Sequence, residues 1–212
     1  MPPKIILAFD TSAAHCVAAL LLSDNRCLIR HEDMAKGQAE RLFPMLDDLL
    51  ADAGVAWRDL AAIGVGTGPG NFTGVRISVS AARGLALSLG VPAIGVTRFE
   101  ALAHGLPRPL TVIDDARRDE VYVQHFGIDG PDAARLTPRA GLTVTTPMIG
   151  SAAEVLGLTA LTVTAPMVEC IARITAERMD QPQPRPAPFY LRGADATPPS
   201  DPPPVILDAS DP

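Results

Sequence analysis

Residues 62 to 89, AIGVGTGPGNFTGVRISVSAARGLALSL, constrain the fold more than any other stretch, because a short apolar run meets glycines at every second position and then a long helical repeat. Ala62, Ile63 and Val65 read as a short buried strand. Gly64, Gly66, Gly68 and Gly70 permit positive φ or the close approach of another group, and Pro69 stiffens the turn. From Gly74 the residues Val75, Val79, Ala82, Ala86 and Leu89 recur at helical spacing. Asn71 or Thr73 is the candidate N-cap, and Gly90 followed by Pro92 ends the helix. A glycine loop running into a helix N-terminus favours anions. Yet G-x-x-x-x-G-K-[ST] is absent, and no register of these glycines satisfies G-x-G-x-x-G. On spacing alone the loop is either a phosphate cradle or a tight turn that binds nothing.

Around this unit the chain reads as alternating strands and helices. Ile5 to Phe9 is a strand ending at Asp10-Thr11-Ser12, Val17 to Leu22 returns antiparallel after a short turn, and Cys27 to His31 is a third strand. The Asp10-Thr11-Ser12 tip is open to two readings, a phosphate or metal-water contact and an Asx-type turn. Gln38 to Ala53 is helical, with one stripe through Leu42, Leu46 and Leu49 and an overlapping one through Phe43, Leu46 and Leu50; Pro44 implies a late start or a kink. Ala93 to Val96 is a further parallel strand and Arg98 to Leu106 a short helix. After Pro107 the opening recurs, since Leu110 to Ile113 ends in Asp114-Asp115 as Ile5 to Phe9 ends in Asp10. Val121 to Phe126 is a returning strand, Ser151 to Leu156 a brief helix, Ala160 to Val163 a strand and Met167 to Met179 a helix. The result is an α/β protein with parallel and antiparallel strands covered by helices, whose second half is a reduced copy of the first. We expect a first lobe at 1–108, a second at 109–192 and a disordered Pro-rich tail at 193–212. Ten of the 21 prolines fall between 182 and 212, although Phe189, Tyr190 and Leu191 are suited to docking as an extended segment.

Composition excludes several functions. At 47% hydrophobic content the 212 residues have ample core, and a net charge of −6 opposes unaided binding to a phosphate backbone. Six Phe, two Tyr and one Trp are too few for base-stacking platforms. Cys16, Cys27 and Cys170 form no C-x-x-C and read as core thiols of a reducing cytoplasm. No run is long enough to span a membrane. His15, His31, His104 and His125 lack ligand spacing and read as surface histidines, so no metal site is expected. No G-x-S-x-G elbow presents a nucleophile. Asp115, Arg117 and Glu120, with Asp114, Arg118 and Asp119, form a charged turn that either clamps a partner or is simply solvated.

FDTS at 9 to 12, GTGPGNFTGVRISVSAARGLA at 66 to 86, the Asp115-Ala116-Arg117 turn with Glu120-Val121-Tyr122, and Phe189-Tyr190-Leu191-Arg192 together closely resemble the TsaB (YeaZ) family. The resemblance implies the actin/Hsp70/sugar-kinase (ASKHA) type of fold with two related lobes. It also implies a part in forming threonylcarbamoyladenosine at tRNA position 37, as the non-catalytic paralogue of TsaD, with TsaE completing the bacterial assembly. TsaD-like proteins carry V-N-H-x-x-G-H after the same glycine motif and helix, and its two histidines bind a metal. Here the stretch is Val96 to Leu102, with Arg98 and Leu102 at the ligand positions, and neither side chain holds a divalent metal. ATP and metal are therefore expected on TsaD and no cofactor on this chain, with Asp10, Thr11, Ser12, Gly66, Gly68, Gly70, Asn71 and Thr73 a vestigial nucleotide loop. Gln38 stands where many relatives have His. The alternative is a stand-alone enzyme of this fold, a peptidase-like hydrolase or an ATP-dependent phosphotransferase. The resemblance further implies pairing with TsaD, or with a second copy, through the first-lobe helices, with tRNA met only through the complex. The residues expected at that face are Leu42, Phe43, Leu46, Leu50, Gly74, Ser78, Ala81, Gly84 and Ser88.

Overall fold

The structure is a computed structural model and describes residues 4–157 and 159–192. The expected tail at 193–212 lies outside the described residues. Strands β1 (Ile5–Asp10), β2 (His15–Leu21), β3 (Cys27–Asp33), β4 (Leu60–Gly66) and β5 (Ala93–Val96) form one sheet in the order β3-β2-β1-β4-β5. β1 pairs antiparallel with β2 and parallel with β4, so the hairpin and the parallel half meet on β1. The apolar run of β1 is continuous because both of its faces are covered. Leu7 and Phe9 pack with α1 (Gln38–Ala53) and α2 (Phe72–Leu89), whereas Ile6 and Ala8 face α5 (Met167–Arg178).

The helix boundaries follow from their caps. α1 begins at Gln38 and contains Pro44, so the late start is not taken; Gly54, at φ 65°, ends it. α2 starts at Phe72, two residues before the first expected position, because the Asn71 carboxamide oxygen accepts from Gly74 N–H at 2.9 Å. α3 (Arg98–Ala103) is shorter than its expected span to Leu106, and is set by a capping box of Thr97 and Glu100.

A second sheet, in the order β8-β7-β6-β9, is built from β6 (Leu110–Asp115), β7 (Glu120–Phe126), β8 (Arg135–Pro138) and β9 (Met148–Ile149). It repeats the pairing of the first, antiparallel along β6-β7-β8 and parallel at β6-β9. The strand expected at Ala160 to Val163 is reduced to one bridge between Ala160 and Met148, and the parallel neighbour of β6 is instead the two-residue β9. α4 (Ala152–Val155) is the brief second-half helix. α5 falls within the expected second lobe by sequence, yet Val168, Ile171, Ala172 and Ile174 pack on the first sheet. The copy is reduced because its last helix covers the first lobe.

Five residues expected at an outer helix face are internal. Leu42, Leu46 and Leu50 are in the core with Phe9 and Val65, so the breadth of the α1 stripe is consumed by the sheet. Gly74 and Ser78 are buried, and the Ser78 hydroxyl donates to Val75 O at 3.2 Å. Phe43, Gly84 and Ser88 are exposed, Ala81 is half-buried, and Leu87, not among the expected residues, is 80% exposed beside them on α2. A Cβ on Gly74 would overlap the carbonyl of Thr11, whereas one on Gly84 would meet nothing within 4 Å. Gly74→Ala is therefore expected to destabilise the protein by about 2–4 kcal/mol by forcing α2 off β1, and Gly84→Ala to stabilise it by about 0.5–1 kcal/mol. Urea titration of the two variants checks both signs.

Candidate functional site

The first strand of each sheet carries a buried aspartate at or next to its carboxyl end, and the chain itself supplies donors to each one. Asp10 closes β1. Its Oδ1 accepts from Ser12 N–H at 2.9 Å, from the Ser12 hydroxyl at 2.8 Å and lies 3.0 Å from His15 Nε2. Thr11 donates its hydroxyl to Gly74 O at 2.6 Å, and Asn71 N–H donates to Ser12 O at 2.6 Å. Gly66 leaves no room for a Cβ beside the Asp10 carboxylate, and Gly70 none beside Ser12. The glycine loop and the Asp10-Thr11-Ser12 turn thus come together, and they grip each other. Gly68, at φ 90°, turns the loop over Val75, and Thr73 stays exposed on the first turn of α2.

This packing bears directly on chemistry. Ser12, Asp10 and His15 form a cluster that superficially suits nucleophilic catalysis. Its connections run in the wrong order, because the hydroxyl of Ser12 points its proton at Asp10 and His15 contacts that same oxygen. A serine nucleophile needs the imidazole, not the carboxylate, as its partner. His15 is also not the surface residue expected from the sequence. Its side chain is 15% exposed, and its ring meets that of His31 edge-on at 5.5 Å. Burial pushes the Cys16 and Cys27 thiols up to about 11, which leaves almost no thiolate at neutral pH.

Asp114 holds the corresponding place on β6. Its Oδ1 accepts from Ser151 N–H at 2.9 Å and from the Ser151 hydroxyl at 2.8 Å, repeating the Asp10–Ser12 arrangement with a serine 37 residues away. Its Oδ2 takes the Arg98 Nε–H. Arg98 starts α3, donates its own N–H to Gly68 O at 2.8 Å and brings a guanidinium N–H to within 3.4 Å of Met167 Sδ. The cation facing Asp114 is therefore part of the chain. Leu102 is half-buried in the apolar cluster of Phe99, Leu110 and Phe126. Neither position offers a metal a lone pair. Among the described residues no three His, Cys, Asp or Glu side chains converge on a common metal position.

The second-lobe turn is sharper than its charge pattern suggested. Arg117, Arg118 and Asp119 are left-handed in succession, at φ 62°, 53° and 58°, a conformation that L side chains seldom adopt singly. Asp115 Oδ1 accepts from Arg117 N–H at 3.1 Å, and Asp119 pairs with Arg139. Glu120 accepts from Arg192 Nη2 at 2.5 Å, and the same nitrogen reaches Ala116 O at 3.0 Å. Arg192 and Ser151 are the participants that spacing alone could not identify, since both come from far along the chain.

A family model described as TsaD, tRNA N6-adenosine threonylcarbamoyltransferase, matches residues 29–185. The Escherichia coli tRNA threonylcarbamoyladenosine biosynthesis protein TsaB is 39% identical over 130 residues, 58% of this chain and 55% of that protein. The TsaB of Bacillus subtilis is 41% identical over 123 residues, 55% of this chain and 52% of its own length. The matched region thus spans about half the length of these relatives. The Mycobacterium tuberculosis protein Rv3421c is 34% identical over 204 residues, 91% of this chain and 94% of that protein. Among solved structures, YeaZ from Pseudomonas aeruginosa superposes with a TM-score of 0.70 at 30% identity, covering 89% of this chain and 100% of that one. The Acidaminococcus fermentans (R)-2-hydroxyglutaryl-CoA dehydratase component A, at 0.53 and 10% identity, shares the fold alone. With two like mixed sheets, helices on their faces and a buried aspartate at or next to the end of each leading strand, this chain has the actin/Hsp70/sugar-kinase type of fold and belongs to the TsaB (YeaZ) family.

Proposed function

We propose that this protein is a non-catalytic subunit of the bacterial machinery that forms N6-threonylcarbamoyladenosine at tRNA position 37, where it binds and activates TsaD. The names of the relatives support the pathway. The observation that carries the subunit role is the pairing of Arg98 with Asp114, at a position where TsaD-like proteins place a metal-binding histidine. With Leu102 at the second ligand position, the donor set does not fit a metal. The glycine loop, packed against Asp10, Thr11 and Ser12, does not fit a phosphate group either. Metal and ATP belong to TsaD in this reading, with TsaE as the further partner. tRNA is met through the assembly, because a net charge of −6 opposes unaided binding. The setting is the cytoplasm; among the described residues no helix is long and apolar enough to cross a membrane.

The docking face in this proposal is the outer side of the first-lobe helices at Phe43, Ala81, Gly84, Leu87 and Ser88. Exposed Phe43 and Leu87 supply the apolar anchors, and the bare backbone at Gly84 lets a partner helix approach closely. The same face can serve a homodimer when TsaD is absent. The test is co-purification with TsaD, together with a tRNA modification assay with and without this protein; modification at an equal rate without it would overturn the proposal. Gly84→Arg is expected to keep the melting temperature and to lose TsaD binding by at least about tenfold, because the new side chain enters the contact and not the core. Unchanged binding would move the docking site elsewhere. Elemental analysis of the purified protein is expected to find no stoichiometric metal, and one zinc or iron per chain would contradict the role assigned to Arg98.

A further inference from the structure

The chain from Pro186 to Arg192 belongs to neither a helix nor a strand, yet it touches both lobes. Pro186 is buried, with its Cα 3.5 Å from the place a Cβ on Gly95 of β5 would take. Phe189 N–H donates to Thr67 O at 2.8 Å, just past the end of β4, and the Phe189 ring meets Phe99 edge-on at 6.3 Å. Tyr190 lies over Phe72 with ring centroids 5.2 Å apart, and its hydroxyl accepts from Arg76 Nε at 3.0 Å. Arg76 also stacks on Phe72, 3.6 Å from its centroid. Arg192 then reaches Glu120 and Ala116 across the β6–β7 turn. The segment therefore runs over the carboxyl ends of β4, β5 and β6. In sheets with parallel strands that crevice is where ligands enter. Here the chain's own segment lies in it.

The way the segment is attached sets how it leaves. Pro186 and Pro188 have no N–H, so no ladder can form with β5, and Phe189 to Thr67 is the backbone bond that holds it to the first lobe. Phe189 and Leu191 also pack, half-buried, against the cluster of Phe99, Leu110 and Phe126, and the polar fixings are side-chain clasps at the end of the segment. Tyr190 is 43% exposed, and the Arg192 and Glu120 side chains are 20% and 32% exposed, so both clasps are open to water. Arg192 Nε is buried and finds no partner among the described residues, so the anchor is incompletely satisfied. The prolines keep the released segment extended, which lowers the entropy lost when it returns.

We propose that residues 186–192 are a releasable latch. In the closed form they seal the crevice and join the second-lobe turn to α2. In the open form they leave it while both sheets stay folded, exposing Thr67, Gly68, Gly95 and Phe99. The inference does not depend on the proposed partner. Native-state hydrogen exchange of the full chain, read by NMR residue by residue, tests it. The Phe189 amide is expected to exchange at least about 100-fold faster than that of Ile63, which donates to Pro92 O at 2.9 Å within the core. Glu120→Gln, which weakens the Arg192 clasp, is expected to speed Phe189 exchange about tenfold more and to leave Ile63 unchanged. Tyr190→Ala attacks the other clasp and is expected to do the same, so the test stands if one variant fails to fold. Equal protection of Phe189 and Ile63 in the unaltered protein would overturn the latch, as would variants that leave Phe189 unchanged or speed both amides alike.

Discussion

The first turn of α2 lies directly against the end of β1, with no side chain between the two backbones at Gly74 and Thr11, and the geometry of the first lobe depends on that contact. It fixes the height of α2 over the sheet and therefore which residues of α2 face inward. Val75, Val79 and Ala82 reach Phe9 and Val65, while Arg76, Gly84 and Leu87 are left outside. The same approach holds the Asp10-Thr11-Ser12 turn in place through Thr11 and Asn71, so the carboxylate of Asp10 has one orientation and donors already in position. A loop of this composition on an open helix N-terminus would attract anions. Here the glycines allow protein to meet protein.

The two lobes resolve the same problem differently. Each leading strand delivers an aspartate into a buried crevice, where an unpaired charge is costly. Asp10 draws its donors locally, its Oδ1 accepting from the N–H and hydroxyl of Ser12 beside the imidazole of His15. Asp114 has no such local turn, because its strand continues to Asp115 and then into the left-handed turn at Arg117 to Asp119. It recruits Ser151 from 37 residues along the chain and Arg98 from the other lobe. The ion pair of Arg98 and Asp114 consequently crosses between the lobes, as does the segment from Pro186 to Arg192. Within the crevice Asp10 Oδ1 and both oxygens of Asp114 have their donors from the chain itself.

Much of this was legible from residue order. The strands around β1, both helices flanking β4, their glycine ends and the recurrence at Leu110 follow from short-range apolar periodicity, turn chemistry and backbone freedom, all of which act within about one helical turn or strand. The family motif was legible for the same reason, since FDTS and the glycine loop are contiguous in the chain. Neither β8 nor the two-residue β9 is legible in the sequence, because runs this short have no clear period, and the run at Ala160 to Val163 reads as a strand although apolar character alone does not pair one. His15 reads as a surface residue in the sequence because its partner, the Asp10 carboxylate, comes close only when the β1–β2 hairpin forms.

Sequence by itself determined the first-lobe elements and their order, the recurrence of the opening strand at Leu110, and the residue types at Arg98 and Leu102, because these are properties of residue type and spacing. Tertiary structure decided which surfaces were left over. An apolar stripe on a helix shows how much must be buried but not against what, so the breadth of α1 suggests a partner face, whereas in the fold the sheet takes Leu42, Leu46 and Leu50. A glycine signals that something comes close without saying what, and only the fold shows that at Gly70 and Gly74 it is the chain's own backbone at Ser12 and Thr11. The destination of α5, the pairing of Arg98 with Asp114 and the course of residues 186 to 192 all join segments far apart in the chain. Such contacts are selected by the shape and charge of surfaces that exist only after each lobe has folded.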